Sequence, residues 1–245
     1  MSVLFKDSDH FGEISVFDDG KYRVLSFAKG DEQSRMQIAA PHILQHEYTQ
    51  AMMISLLFTP QPKRICLLGL GGGSLLNALY HAVPKINITA IELREKVIDA
   101  ANRFFKLPMG KRVEIINADA EEFLTEHKFR KFDILFTDIY HKEGIDAKAL
   151  THAFVLSSAK AIKEKGTLVI NCWDDQIDNQ ELVQDLKNEF QQIVGIDTGS
   201  GNWIIVATNS SVELNNKQTK FEANKLSNKL EIPLSKWASR IKHIK

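Results

Sequence analysis

Apolar and polar positions change rhythm repeatedly along this chain. In "EISVFDDGKYRVLSF" they alternate on either side of Asp19-Gly20, which predicts a β-hairpin. A further short strand, "SRMQIA", follows Gly30. "PHILQHEYTQAMMISLLF" then enters on proline with apolar residues at helical spacing, and Pro60 and Pro62 close it. From Lys63 the elements alternate. Strands are predicted at "KRICLLGL", "NITAIEL", "RVEIINA", "FDILFTDIY" and "GTLVINCW". Helices are predicted at "SLLNALYHAV", "EKVIDAANRFF", "AEEFLTEH", "THAFVLSSAKAIKE" and "NQELVQDLKNEF". Such alternation specifies an α/β fold with a parallel sheet and helices on both faces. "QQIVGIDTGSGNWIIVATN" reads as two strands and a glycine turn, an antiparallel pair at the sheet edge. The expected division is residues 1–40 as a small N-terminal β domain and 41–209 as the α/β domain. Residues 210–245 read as a polar tail, flexible at first and ending in one short amphipathic helix.

Composition narrows this picture only a little. At 245 residues, 44% hydrophobic and 25% charged, the chain suits a globular protein with a real core. Its 31 basic and 31 acidic residues balance, so no global field draws nucleic acid or an anionic membrane. Two cysteines in apolar contexts, no signal-peptide pattern and no long apolar run lead to the expectation of a reduced, cytoplasmic protein.

The candidate chemistry starts at "LLGLGGGSLL", between a predicted buried strand and a helix. Bare backbone there permits a tight turn and brings N–H groups against a ligand at the helix N-terminus. Gly69, Gly71 and Gly73 are spaced G-x-G-x-G, and Ser74 takes the last glycine place of the dinucleotide pattern. Glu92 ends the next strand, where a carboxylate accepts from ribose hydroxyls. Asp119, in "NADAEEF", follows the third strand, where it would accept from an adenine amino group. A chain closed by an antiparallel pair, rather than by a second mononucleotide-binding half, favours an adenosyl sulfonium over NAD. The fold expected is therefore a class I S-adenosylmethionine-dependent methyltransferase-like, Rossmann-like sheet.

The stretch from "PHILQHEYTQAMMISLLFTPQPKRICLLGLGGGSLLNALYHAVP" through "AIELREKVIDAANRFFKLP", "INADAEEFL", "FDILFTDIY" and "GTLVINCW" resembles the spermidine synthase-like family. The likeness is to its bacterial branch with GLGGGSL in the loop, and runs from about Glu13 to Asn209. It implies that Gln33 lies near the nucleoside ribose and Gly69, Gly71 and Gly73 beside the sulfonium side chain. Glu92 would be the ribose acid, Asp119 with Ala120 the adenine contact, and Asp138 the first acid of the family's D-S-S-D motif. Tyr48 matches the tyrosine of its Y-H-E motif. The resemblance also implies a homo-oligomer, a dimer, with decarboxylated S-adenosylmethionine or S-adenosylmethionine as donor, an amine as acceptor and no metal.

Two positions depart from the pattern. Ser74 stands where the family's GGGDGG carries the acid that holds the donor's ammonium, and His141 stands at the last position of D-S-S-D, which steers and deprotonates the amine. A primary amine with a pKa of about 10 is protonated at pH 7, so a base matters. His141 would serve as that base but cannot attract a polycation as a carboxylate does. With Ser74 uncharged, the carboxylate of intact S-adenosylmethionine is no longer repelled. Tyr140, Trp173 and Asp174, with Asp175, are expected to help wall an acidic, aromatic pocket for the amine; Glu143 and Asp146 read as ordinary loop acids.

The sequence therefore predicts an enzyme, a transferase with Asp138, His141 and Tyr140 as its catalytic group. Aminopropyl transfer is the expectation. Methyl transfer is the first alternative, and a non-catalytic nucleoside-binding homologue the second. His42 and His46, spaced i, i+4, lack the companions a zinc site requires and read as a helix face.

Overall fold

The structure, a computed structural model, describes residues 2–28, 30–141, 144–145, 150–213 and 217–244. Four strands open the chain: β1 (Ser2–Asp9), β2 (Gly12–Asp18), β3 (Tyr22–Ser26) and β4 (Ser34–Gln37). They pair in that order as an antiparallel sheet. The β2–β3 turn is where the alternation predicted it. Asp18 accepts from the N–H of Gly20, and Asp19 from those of Lys21 and Tyr22.

The next segment departs from its periodicity. Instead of one helix from Pro41, α1 begins at Glu47 (Glu47–Met52) and a separate turn, α2 (Ser55–Phe58), follows. Leu44 forms a bridge to Met36 of β4, and the Gln50 amide donates to the Leu44 carbonyl at 2.9 Å. Sheet pairing and this side-chain bond claim backbone that a helix would have used.

The alternating region then runs β5 (Arg64–Leu68), α3 (Ser74–Ala82), β6 (Asn87–Glu92), α4 (Glu95–Phe104), β7 (Val113–Asn117), α5 (Ala120–Glu126) and β8 (Phe132–Thr137). Two two-residue strands, β9 (Tyr140–His141) and β10 (Gly144–Ile145), pair with each other. The chain continues with α6 (His152–Ala161), β11 (Ile162–Trp173), a 3-10 turn over Asp174–Asp178, α7 (Gln180–Glu189), β12 (Gln192–Asp197) and β13 (Asn202–Thr208). The tail forms α8 (Lys217–Leu230), α9 (Leu234–Ala238) and β14 (Lys242–His243).

The large sheet has eight strands in the order β14-β12-β13-β11-β8-β5-β6-β7. Five central strands are parallel, and β13, β12 and β14 complete one edge antiparallel. Period-two alternation sends Ile65 and Leu67 of β5 into the core on one face, and Cys66 and Leu68 into the core on the other. α4 lies between this sheet and the small one: Val97 and Ala100 pack with Ile14, Val16, Leu25 and Met36.

The tail corrects the expectation of a loose segment with one short helix. α8 is 14 residues long, and Trp237 of α9 is fully buried in the main core. Burying an indole contributes roughly 5 kcal/mol of apolar transfer, ample reason for so polar a segment to dock. Ile244 donates its N–H to Ile193, extending the sheet edge. Among the described residues no helix is long and apolar enough to cross a membrane.

Candidate active site

Strand order reverses between β5, whose chain leads to β6, and β8, reached from β7 on the far edge. At such a switch point in a parallel sheet the carboxyl ends of neighbouring strands diverge and leave a crevice. A cavity of about 380 Å³ opens there, lined from β5, β6, β8, β11 and the loop before β4.

The glycine loop after β5 forms one wall, and its construction differs from the expectation. A Cβ on Gly69 would collide with the Asp138 carbonyl, one on Gly73 with the Leu107 side chain, and one on Gly72 with both Ser34 and the Phe105 ring at 2.8 Å. The bare backbone thus serves close packing of protein on protein. Its N–H groups are also spoken for. Gly69 donates to Ile91, Gly72 to Ser34 Oγ at 2.8 Å and Gly73 to Leu70. Leu70 and Gly71 donate to Glu92 Oε2 at 3.1 and 3.4 Å. A pyrophosphate needs such donors free, so the loop does not suit a dinucleotide. A ligand lying alongside it by van der Waals contact remains compatible.

Glu92 is held by backbone. Besides those two donors, its Oε1 accepts from the Arg94 N–H at 3.0 Å. Burial pushes its carboxyl above the usual range, although the Arg94, Leu70 and Gly71 N–H groups and the Arg94 charge act against that. A carboxylate offers about four lone-pair sites. Three are engaged here, one weakly, which leaves room for hydroxyl donors. Arg94 is 8% exposed and tied to the small sheet: its guanidinium pairs with Asp9 at 2.9 Å, donates to the Gly12 carbonyl and lies 4.5 Å from the Phe27 ring centre. Asp119 caps α5, accepting from Glu121 and Glu122 at 2.8 and 3.1 Å. With Ala120 it lines the same end of the cavity as Glu92, one strand further out.

Asp138 is held by side chains instead. Immediately after β8 it accepts from Asn171 Nδ2 at 2.8 Å and from the Tyr48 phenol. Asn171 Oδ1 in turn accepts from Asn202 Nδ2 at 3.0 Å. Burial pushes the Asp138 carboxyl up to about 6; the Asn171 and Tyr48 hydrogen bonds oppose this and the Glu92 charge adds to it.

Of the residues singled out from sequence, the cavity wall brings together Gln33, Tyr48, Gly69, Gly71, Ser74, Glu92, Asp119, Ala120, Asp138 and Trp173. Gln33 spends its amide on Asp31 at 2.8 Å. Ser74 begins α3, and its Oγ is buried with no hydrogen bond among the described residues. Gly73 packs behind the wall, and Asp174 is exposed and outside it. The side chains of Tyr140 and His141 lie outside the described structure, as do residues Glu143 and Asp146. His42 and His46 do not share a helix face as expected, because both precede α1: His42 stacks on His81 and His46 on Tyr48. Among the described residues no three His, Cys, Asp or Glu side chains converge as a metal site.

Sequence reasoning missed Asp31 and Glu32, which line the cavity from the loop before β4, and the amides Asn171 and Asn202. The signal for the amides was present: Asn171 interrupts the apolar strand "VINCW", and Asn202 opens the apolar run "NWIIVA".

The sheet order, the antiparallel closing strands and the cavity at the switch point define a class I, Rossmann-like transferase fold. A probable spermidine synthase from Corynebacterium glutamicum matches it with a TM-score of 0.80, at 18% identity, over 98% of this chain and 95% of that one. Human methyltransferase-like protein 13, solved in complex with SAH, matches with a TM-score of 0.64 at 20% identity, over 77% of this chain and 94% of that one. In sequence, the spermine/spermidine synthase domain matches residues 45–217. A polyamine aminopropyltransferase of Neisseria meningitidis serogroup B is 31% identical over 89% of this chain and 84% of that protein. One of Chromobacterium violaceum is 27% identical over 94% and 89%. The chain belongs to the spermine/spermidine synthase family and is a transferase of that family.

Proposed function

We propose that the protein transfers an aminopropyl group from decarboxylated S-adenosylmethionine to an aliphatic amine. The observation that carries this reading is the charge of the cavity wall. Asp31, Glu32, Glu92, Asp119, Glu121 and Asp138 line it, against Arg94 as the one cation among the described lining residues. Arg94 is spent on Asp9, and Glu32 is paired with Arg35, which leaves a strong acidic excess. Such walls suit a donor with a sulfonium and an ammonium, and a cationic acceptor. The names of the sequence relatives point the same way.

In this reading Glu92 takes the ribose hydroxyls, and Asp119 with Ala120 faces the adenine. Gln33, Gly69, Gly71 and Ser74 flank the sulfonium arm. The acceptor lies between Tyr48, Asp138 and Trp173. Asp138 accepts a hydrogen bond from the amine N–H and so turns the nitrogen lone pair toward the donor. Attack forms the C–N bond at the methylene carbon on sulfur, and the C–S bond breaks with its electron pair going to sulfur. The products are neutral methylthioadenosine and an alkylated amine, whose surplus proton passes through the Asp138 carboxylate to solvent.

A specific observation supports methyl transfer as the second reading. Ser74 has a buried, unbonded hydroxyl at the start of α3, and the first turn of that helix holds no acid. That corner would accept a donor carboxylate. Calorimetric titration with decarboxylated S-adenosylmethionine, S-adenosylmethionine and methylthioadenosine separates the readings, followed by mass spectrometry of mixtures with 1,4-diaminobutane. Tighter binding of the decarboxylated donor and an aminopropylated diamine are expected. Tighter binding of the intact donor with a methylated product would transfer the assignment to methyl transfer. Binding without turnover would leave a nucleoside-binding protein.

A further inference from the structure

Asn171, Asn202 and Asp138 come from three adjacent strands, and the sheet register explains why they meet. Thr137, the last residue of β8, pairs with Ile170 of β11, so Asp138 and Asn171 are the next step along. On the other side Asn171 pairs with Ile204 of β13, which makes Asn202 its diagonal neighbour on the same sheet face. The three side chains form a row across the edge of the sheet where β8 and β11 end and the antiparallel β13 begins. Donors and acceptors run in one direction along it, from Asn202 Nδ2 to Asn171 Oδ1 and from Asn171 Nδ2 to Asp138 Oδ1.

That direction has a chemical consequence. A primary amide presents an acceptor on one side and a donor on the other, and the two are nearly the same size. Asn171 is 1% exposed, so water has little access to correct a wrong orientation. If its amide turned over, the carbonyl would face Asp138 and demand a protonated carboxyl. We propose that Asn202 is a positioning residue: by donating to Asn171 it fixes the face of the Asn171 amide that Asp138 meets, and so keeps Asp138 a hydrogen-bond acceptor. The catalytic consequence rests on the aminopropyl reading, in which Asp138 must accept from the incoming amine; the orientation of the Asn171 amide does not. Among the described residues, the ionisable groups acting on Asp138 are Tyr48 from α1, which favours its ionised form, and Glu92 from β6, which disfavours it.

The test compares wild type with Asn202→Leu, which has nearly the shape of asparagine but no donor, and with Asn202→Gln, which keeps the amide. Asn202 is only partly buried at the start of β13, so the fold should tolerate both changes. Asp138 is titrated by infrared difference spectroscopy of its carboxyl band, assigned with Asp138→Asn. Its midpoint should rise in Asn202→Leu by roughly one pH unit. In turnover with decarboxylated S-adenosylmethionine and 1,4-diaminobutane, the rate below the midpoint should fall about tenfold, with recovery at high pH and an unchanged donor KM. Asn202→Gln should restore both profiles. An Asp138 band that titrates in Asn202→Leu at the wild-type midpoint would overturn the proposal. A wild-type protein without turnover would sink the aminopropyl reading alone, since the infrared titration would still decide this one.

Discussion

Glu92 and Asp138 sit on opposite sides of the glycine loop, both partly buried and both with carboxyls pushed up by burial. They are built in different ways. Glu92 rests on three backbone N–H groups, two from the adjacent loop and one from two residues along its own chain. Asp138 rests on the side chains of Tyr48, Asn171 and, through it, Asn202. Backbone donors stay as long as the fold does, and give a carboxylate a fixed place with little sequence dependence. Side-chain donors are chosen residue by residue, so they can tune one acid for one task. In the proposed reading, the contrast suits a holder of the donor's ribose on one side and a group that manages a proton on the other.

The largest effect should come from the tuned side. Asp138→Asn is expected to lower turnover by about 10² to 10⁴-fold, with nucleoside affinity retained by calorimetry. In wild type the rate should fall on the acid side as Asp138 protonates near its value of about 6. The same change should stabilise the protein. The native state holds this proton more tightly than the unfolded chain, whose Asp value is 3.8. Stability from this group is therefore full below about pH 4 and is lost as pH rises to about 6. Above that, Asp138→Asn should unfold at higher denaturant than wild type, by up to about 3 kcal/mol. Unchanged stability at pH 7.5 would show that burial does not strain this carboxyl.

Next in size is Arg94→Met, which tests whether the backbone-held side stands alone. Removing the guanidinium leaves Asp9 without its buried partner, at a cost of about 3 kcal/mol in urea unfolding. Methylthioadenosine affinity should weaken with it, because Phe27 and the β1–β2 turn lose their tie to the Glu92 end. The Asp138 midpoint should move only slightly, through the Glu92 charge that already acts on it. A large movement would mean that the two sides are one electrostatic unit.

The smallest effect should be that of Glu92→Gln. If Glu92 holds the ribose as proposed, loss of charge-assisted bonds is expected to weaken methylthioadenosine about 10 to 100-fold in calorimetry. The amide can still accept from the loop N–H groups, so the fold should hold. An effect on the rate at saturating donor larger than on affinity would give Glu92 a part in the reaction itself.

How much of this was legible along the chain follows the same division. Glu92 and Asp119 could be read in advance because each lies at a strand end, a place defined by local pattern and by distance from the glycines. Asp138 could be read as the acid closing "FDILFT". Tyr48 was read as a site residue too, but its pairing with Asp138, and the two asparagines, could not be read. Tyr48, Asn171 and Asn202 are separated by up to 154 positions, and only strand order and register make them neighbours. The glycines were legible as a demand for bare backbone, but the reason inferred was a ligand. The neighbours that enforce it, Ser34, Phe105 and Leu107, come from elements that periodicity does not connect to the loop.

The sequence by itself determined the element types, the parallel sheet with its antiparallel closure, and which strand ends carry acids. Those features depend on side-chain period and turn chemistry, which act over a few residues. Tertiary structure decided the rest. It broke the segment after Pro41 by pairing Leu44 with Met36 and buried Trp237 of a tail that composition marks as polar. It also set Asn202 behind Asn171 and Asp138. Each of these outcomes depends on contacts between residues far apart in the chain, whose energies exist only once the sheet has formed.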